Sequence, residues 1–306
     1  MPPLTETESV PDEASAVHIE RILCPVDFSE VSAKAYRYAQ SIAAHYRAEL
    51  TLHHVVELWQ HPESDFAPGA AECEGFRNSL ISKGERELRA FLEKSGGVRP
   101  ACAVEEGMAP DAILAMARTR AANLIVMGTH GRRGFDHFML GSVTERVLRH
   151  APCPVLAIPK RAPDERGTTY GPVEVRRILC CVDFSAHSER ALDHALSVAQ
   201  AYRAGVCVLH VLDNTSEHGD VGKETSATLE KLQKLVAART PDPARVDLQV
   251  RLGKPYREIL DFAAEEHPEL IVTGVRGRNS LDLAVFGSTT YRVIQLYPGP
   301  VLTVPI

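Results

Sequence analysis

Two stretches of this chain combine residue types that could hold an anion. "GTHGRRGFDHFMLGS" runs from Gly128 to Ser142, and "GVRGRNSLDLAVFGS" runs from Gly274 to Ser288. Both follow the pattern G-x-x-G, nine residues, G-S. In the first, Gly128, Gly131, Gly141 and Ser142 carry it; in the second, Gly274, Gly277, Gly287 and Ser288. Each stretch follows an apolar run ("NLIVM", "ELIVT") and precedes a helix-like segment. Glycine admits positive φ and lets a ligand approach the main chain closely. A helix begun at Gly-Ser has first amides with no internal acceptor, and these suit a phosphate together with the helix dipole and the serine hydroxyl. Asp27 and Asp183 end "ILCPVD" and "ILCCVD". They would stand at the carboxyl ends of first strands, where open α/β sheets bind ligands. A carboxylate there can accept a hydrogen bond from an amino group such as that of adenine.

Structural readings stand beside these. Ser142-Val143-Thr144-Glu145 matches a capping box, S-x-x-E, whereas Ser288-Thr289-Thr290-Tyr291 keeps the Gly-Ser step without the acid. Asp27 and Asp183 could cap the first helices, although Ser29 and Ser185 could do so instead. Arg132, Arg133, Arg276 and Arg278 either neutralise phosphates or are solvated loop charges. His53 and His54 are neighbours on a strand and point to opposite faces, so they cannot chelate one metal. They read as core or interface histidines.

The elements that must position these residues are written twice. "RILCPVDFS" (Arg21 to Ser29) returns as "RILCCVDFS" (Arg177 to Ser185), and "LHHVV" at Leu52 returns as "VLHVL" at Val208. Each copy alternates strand and helix patterns, which implies parallel strands joined by right-handed crossovers. In the first copy, "SEVSAKAYRYAQSIAAHYRA" places Val31, Ala35, Ala39, Ile42 and Ala43 at helical spacing. "NLIVMG" reads as a strand covered on both faces. The amphipathic "ERELRAFLEK" reads as a helix covering the sheet.

The chain has 306 residues, 44% apolar and 24% charged, with a net charge of -6. Two globular domains with real cores fit these totals. The acidic balance argues against a general nucleic-acid binder. The acidic, Pro-rich start does not resemble a signal peptide, and no apolar run is long enough to span a bilayer. Of seven cysteines, Cys24, Cys180, Cys181 and Cys207 sit in apolar runs and read as reduced core thiols. The sequon Asn214-Thr215-Ser216 means little in the cytoplasmic compartment these features suggest.

"ILCPVDFSE", "LHHVV", "IVMGTHG" and "LGSVTE", with the doubled glycine pattern, resemble the universal stress protein family in its tandem two-domain form. The resemblance implies two doubly wound, Rossmann-like α/β domains, each a five-stranded parallel sheet of order 3-2-1-4-5. They would occupy residues 18–160 and 175–306, with a disordered tail over 1–17 and a linker over 161–174. It implies ATP or a related adenine nucleotide across the crevice of each. The site residues implied in the first copy are Pro25, Val26, Asp27, Val55, Met127, Gly128, His130, Gly131, Gly141, Ser142, Val143 and Thr144. In the second they are Val182, Asp183, Val211, Gly274, Gly277, Gly287, Ser288, Thr289 and Thr290. Cys181 replaces Pro25, and His130 has no histidine counterpart. Mg²⁺ suits the phosphates as a counter-ion, but no carboxylate cluster is dedicated to it. The resemblance further implies association through the last strand, as a homodimer or an intrachain pseudo-dimer, and an unknown regulatory protein partner. The expected function is a nucleotide-set regulatory module of the stress response. The alternatives are a slow ATPase or phosphotransferase using the same pocket, and a nucleotide-free dimerising scaffold.

Overall fold

A computed structural model describes residues 18–57, 70–95, 99–131, 140–162, 173–213, 221–276 and 287–306. The expected tail over 1–17, most of the expected linker and the sequon at Asn214 lie outside the described residues.

The first copy folds as β1 (Arg21–Pro25), α1 (Glu30–Tyr46), β2 (Glu49–Val56), α2 (Ala70–Ser95), β3 (Ala101–Glu106), α3 (Ala109–Thr119), β4 (Leu124–Gly128), α4 (Ser142–His150) and β5 (Val155–Ile158). The second repeats it as β6 (Arg177–Cys181), α5 (Ala186–Tyr202), β7 (Gly205–Leu212), α6 (Val221–Ala237), β8 (Val246–Leu252), α7 (Pro255–Glu266), β9 (Leu270–Gly274), α8 (Ser288–Leu296) and β10 (Val301–Val304). The strands form one ten-stranded sheet of order β3-β2-β1-β4-β5-β10-β9-β6-β7-β8. Each half therefore has the expected order 3-2-1-4-5.

Every pairing within a half is parallel, and the one between β5 and β10 is antiparallel. Leu302 stands opposite Leu156 at this seam, and the Thr303 hydroxyl donates to the Val155 carbonyl at 3.2 Å. The association expected through the last strand thus occurs within the chain.

The central strands are continuous apolar runs because both faces are covered. All five residues of β4 and of β9 are buried. One core joins Ile22, Leu52, Ala35 and Leu156 to Ile178, Val208, Ala191 and Leu302, under α1 and α5. The other joins Leu23, Ile125, Ile113 and Val147 to Leu179, Ile271, Phe262 and Val293, under α3, α4, α7 and α8. Both cores run across the seam. Cys24, Cys180, Cys181 and Cys207 are buried free thiols, and burial pushes each of them up.

Helix starts are locally determined. Ser29 caps α1 by accepting the Ser32 amide at 3.2 Å, and Ser185 caps α5 through the Ser188 amide at 3.3 Å. Arg47 and Arg203 end these helices in the left-handed conformation.

Candidate functional site

The crevice of each half lies at the carboxyl ends of the first and fourth strands. In the first half, α1 is capped by Ser29, so Asp27 is released from that role. Its Oδ1 instead accepts the Ser29 amide at 3.1 Å and the Ser29 hydroxyl at 2.6 Å. Oδ2 faces Gly131: a Cβ built there would lie 2.6 Å from it. Tertiary structure thus brings Asp27 and Gly131 together across a hundred residues of sequence. In the second half, Asp183 Oδ1 holds the Ser185 amide and hydroxyl at the same distances.

The turn that aims the carboxylate carries backbone strain. Phe28 has φ 65° and Phe184 has φ 61°, a region a bulky residue rarely enters. Each ring packs on a histidine, Phe28 on His54 at 4.3 Å and Phe184 on His210 at 4.8 Å. The histidines in turn bind the preceding carbonyls, His54 Nδ1 to Val26 at 2.8 Å and His210 Nδ1 to Val182 at 2.6 Å. A buried latch therefore fixes the strained turn in both halves. Sequence reasoning did not assign these four residues to the site, although the doubled V-D-F-S and the histidines of "LHHVV" and "VLHVL" carried the signal.

The opposite wall is the start of α4. Its N-cap is Gly141, with φ -61° and no side-chain cap. The capping box expected at Ser142 therefore does not form: Ser142 is the first helical residue, and Glu145 pairs with Arg149 at 2.5 Å instead. The reason is spatial. A Cβ on Gly141 would lie 3.2 Å from the Thr129 carbonyl, which accepts the Gly141 amide at 2.9 Å. The backbone just after β4 stands against the cap position. Among the described residues no side chain caps the helix start, and Ser142 is exposed there. Thr144 is buried, and its hydroxyl donates to the Gly128 carbonyl at 2.9 Å. Gly287 (φ -59°), the exposed Ser288 and Thr290 repeat the arrangement, with Thr290 on the Gly274 carbonyl at 2.9 Å.

None of the five described glycines of the pattern has positive φ. Their expected conformational role gives way to close approach. Gly128 is pressed by Val31 of α1 (2.8 Å from a built Cβ), and Gly274 by His187 of α5 (2.7 Å). The space cleared at these two is filled by protein.

Pro25, Val26 and Val182 are buried at the first-strand ends, and Val55 and Val211 are half-buried near the ends of β2 and β7. Met127 is buried in the core under α3 and α4. Val143 and Thr289 are half-buried in the first helical turns. His130 Nδ1 lies 2.9 Å from the Thr129 hydroxyl. Gly277, Arg132, Arg133 and Arg278 lie outside the described residues. His53 is buried in the core with Nε2 2.9 Å from Glu105, away from its neighbour's latch.

Among the described residues no group of three or more His, Cys, Asp or Glu could hold a metal, and no helix is long and apolar enough to cross a membrane.

Fold and crevice define a tandem, doubly wound α/β protein with its two units joined edge to edge. The sequence profile of the universal stress protein family matches residues 18–159 and again 174–305. The chain belongs to that family. A universal stress protein of Methanocaldococcus jannaschii is 34% identical over 145 residues, spanning 46% of this chain and 82% of its own length. A universal stress protein of Mycolicibacterium smegmatis is 26% identical over 295 residues, 92% of this chain and 96% of its own. The crystal structure of a universal stress protein from Archaeoglobus fulgidus superposes with a TM-score of 0.67 at 24% identity, covering 93% of this chain and 98% of that one.

Proposed function

We propose that each crevice binds an adenine nucleotide, ATP or a close relative, and that occupancy sets the conformation of a regulatory stress-response module. The observation that carries this reading is the start of α4, which no described side chain caps, repeated at α8. No described side chain caps either helix start, a serine is exposed in each first turn, and a carboxylate is held by a strained turn at the end of the first strand of the same half. Amides at a helix start suit phosphate. Asp27 or Asp183 would accept the exocyclic amine of the base, with Val26, Val55, Val182 and Val211 as the apolar flank. This donor set fits a nucleotide and not a dedicated metal centre, so Mg²⁺ would arrive with the phosphates.

The seam between β5 and β10 gives a route for a response. Both cores are continuous across it, so a change at one helix start can be felt in the other half.

Calorimetric titration of the nucleotide-stripped chain with ATP and Mg²⁺ tests the proposal. Two equivalents bound per chain are expected, falling to one in Asp27→Ala and in Asp183→Ala. No heat, together with no shift of the thermal midpoint, would sink it.

A further inference from the structure

The chain enters the second half over a helix of the first. Just before β6, the Val173 amide donates to the Ser41 hydroxyl oxygen of α1. Lys34, two turns earlier on the same face of α1, donates to the Lys160 and Ala162 carbonyls, both at 2.7 Å. This face of α1 therefore holds both ends of the segment that joins the halves, and it does so through main-chain groups. Val173 also lines an apolar pocket at the seam. The pocket is built from repeat-equivalent pairs: Ile19 with Val175, Ile42 with Val198, Tyr46 with Tyr202.

A copy of the same face lies on α5. Arg190 stands where Lys34 does, and Ser197 where Ser41 does. Arg190 is exposed and has no ion pair among the described residues. The acids beside it, Glu189 and Asp193, are both taken by Arg239, at 2.7 Å and 3.0 Å. The repeat equivalent of Val173 is Val17, at the end of the acidic first segment. The described chain begins at the next residue, His18. Ile19 already shares the seam pocket with Val198 and Tyr202 of α5. The first segment therefore joins the fold beside α5.

We propose that residues 1–17 dock on this face of α5, the Val17 amide donating to Ser197 and the acidic side chains lying beside Arg190. What α1 does for the chain entering the second half, α5 then does for the chain entering the first. Glu6, Glu8, Asp12 and Glu13 give the segment a charge that suits an unpaired arginine. Pro2, Pro3 and Pro11 favour an extended course, in which amides stay available to an outside acceptor. The face thus takes an extended acidic segment, and an acidic peptide of another protein would have to displace the chain's own. The inference does not depend on the nucleotide reading.

A glutamate-specific protease tests it, because cleavage after Glu13 follows the undocked population when docking is fast. Cleavage in the intact chain should be at least about tenfold slower than in a synthetic peptide of residues 1–20. Ser197→Ala should speed it about fivefold, the scale of one hydrogen bond. Arg190→Glu should speed it about threefold or more, the scale of an exposed ion pair. Salt at about 1 M should speed cleavage of the unsubstituted chain and not of Arg190→Glu. Ser41→Ala, on the other helix, should leave cleavage at Glu13 unchanged, which a general loosening of the fold would not. Cleavage as fast as in the peptide overturns the inference, and so does a rate unmoved by Ser197→Ala or by Arg190→Glu.

Discussion

Asp27 and Gly131 interact through an absence. The glycine has no Cβ, and the Asp27 Oδ2 stands where one would be, 2.6 Å from it. Gly131→Ala must displace the carboxylate, which is the end of a half-buried side chain and can move at small cost to the fold. Nucleotide affinity of the first crevice is expected to fall at least about tenfold. Stability should change by less than about 1 kcal/mol, as for most substitutions that leave a core intact. Titration of Gly131→Ala in an Asp183→Ala background, beside a denaturant melt, checks both halves of this expectation. A second residue-scale effect concerns pH. Burial, and after it the Arg190 charge, holds His194 at about 4, against 6.5 for an unperturbed histidine. Between these values the unfolded chain holds the proton and the folded chain does not. The unfolded state therefore binds more protons, and stability falls as pH drops from about 6.5 towards 4. The loss assigned to this group is roughly 2 to 3 kcal/mol. His194→Gln should flatten the stability-pH curve over that window, and a curve parallel to that of the unsubstituted chain would refute the assignment.

At the scale of elements, two glycines decide how closely a strand approaches a helix. A Cβ on Gly128 would meet the Val31 Cγ1 at 2.8 Å, with the Val31 backbone at 3.2 Å. A Cβ on Gly274 would meet the His187 Cβ at 2.7 Å, the His187 carbonyl carbon at 2.8 Å and the Ser188 amide nitrogen at 3.0 Å. The first conflict is largely with a side chain and the second largely with main chain. Gly128→Ala is expected to cost about 1 to 3 kcal/mol, the range for overpacking a core, and Gly274→Ala more. Val31→Ala should restore part of the loss at Gly128, while His187→Ala should restore little at Gly274. Denaturant midpoints of the four variants make the comparison. The repeat of the G-x-x-G pattern was legible in the sequence. That its first glycine is pressed by a helix was not, because the pressing residue lies about a hundred positions earlier in the chain.

At the scale of the whole molecule, the described residues form one ten-stranded sheet with a single antiparallel junction. The buried Leu156 and Leu302 meet there, in a core that continues into both halves. Such continuity makes the halves interdependent, and one cooperative calorimetric transition is expected for the intact chain. Leu302→Asp places a carboxylate in that core and should cost about 3 kcal/mol or more. It should also separate the unfolding into two transitions. A split already present in the unsubstituted chain would show that the seam transmits nothing.

Much of the frame was local information. Alternating strand and helix patterns, the buried runs of β4 and β9 and the capping serines at positions 29 and 185 follow from periodicity and side-chain chemistry within a few residues. The repeat declares two equal units, and family resemblance supplied their strand order. Only tertiary structure decided the rest, because it depends on distances between segments far apart in sequence. The Thr129 carbonyl takes the place a cap side chain would need at Gly141, so a motif that looked self-capping has no described side chain capping its helix. Phe28 accepts a left-handed backbone because a buried histidine, arriving from β2, holds the turn. The same doubled pattern meets unlike side chains, since Val31 reaches Gly128 and His187 reaches Gly274 only when the first helix of each half docks on its fourth strand.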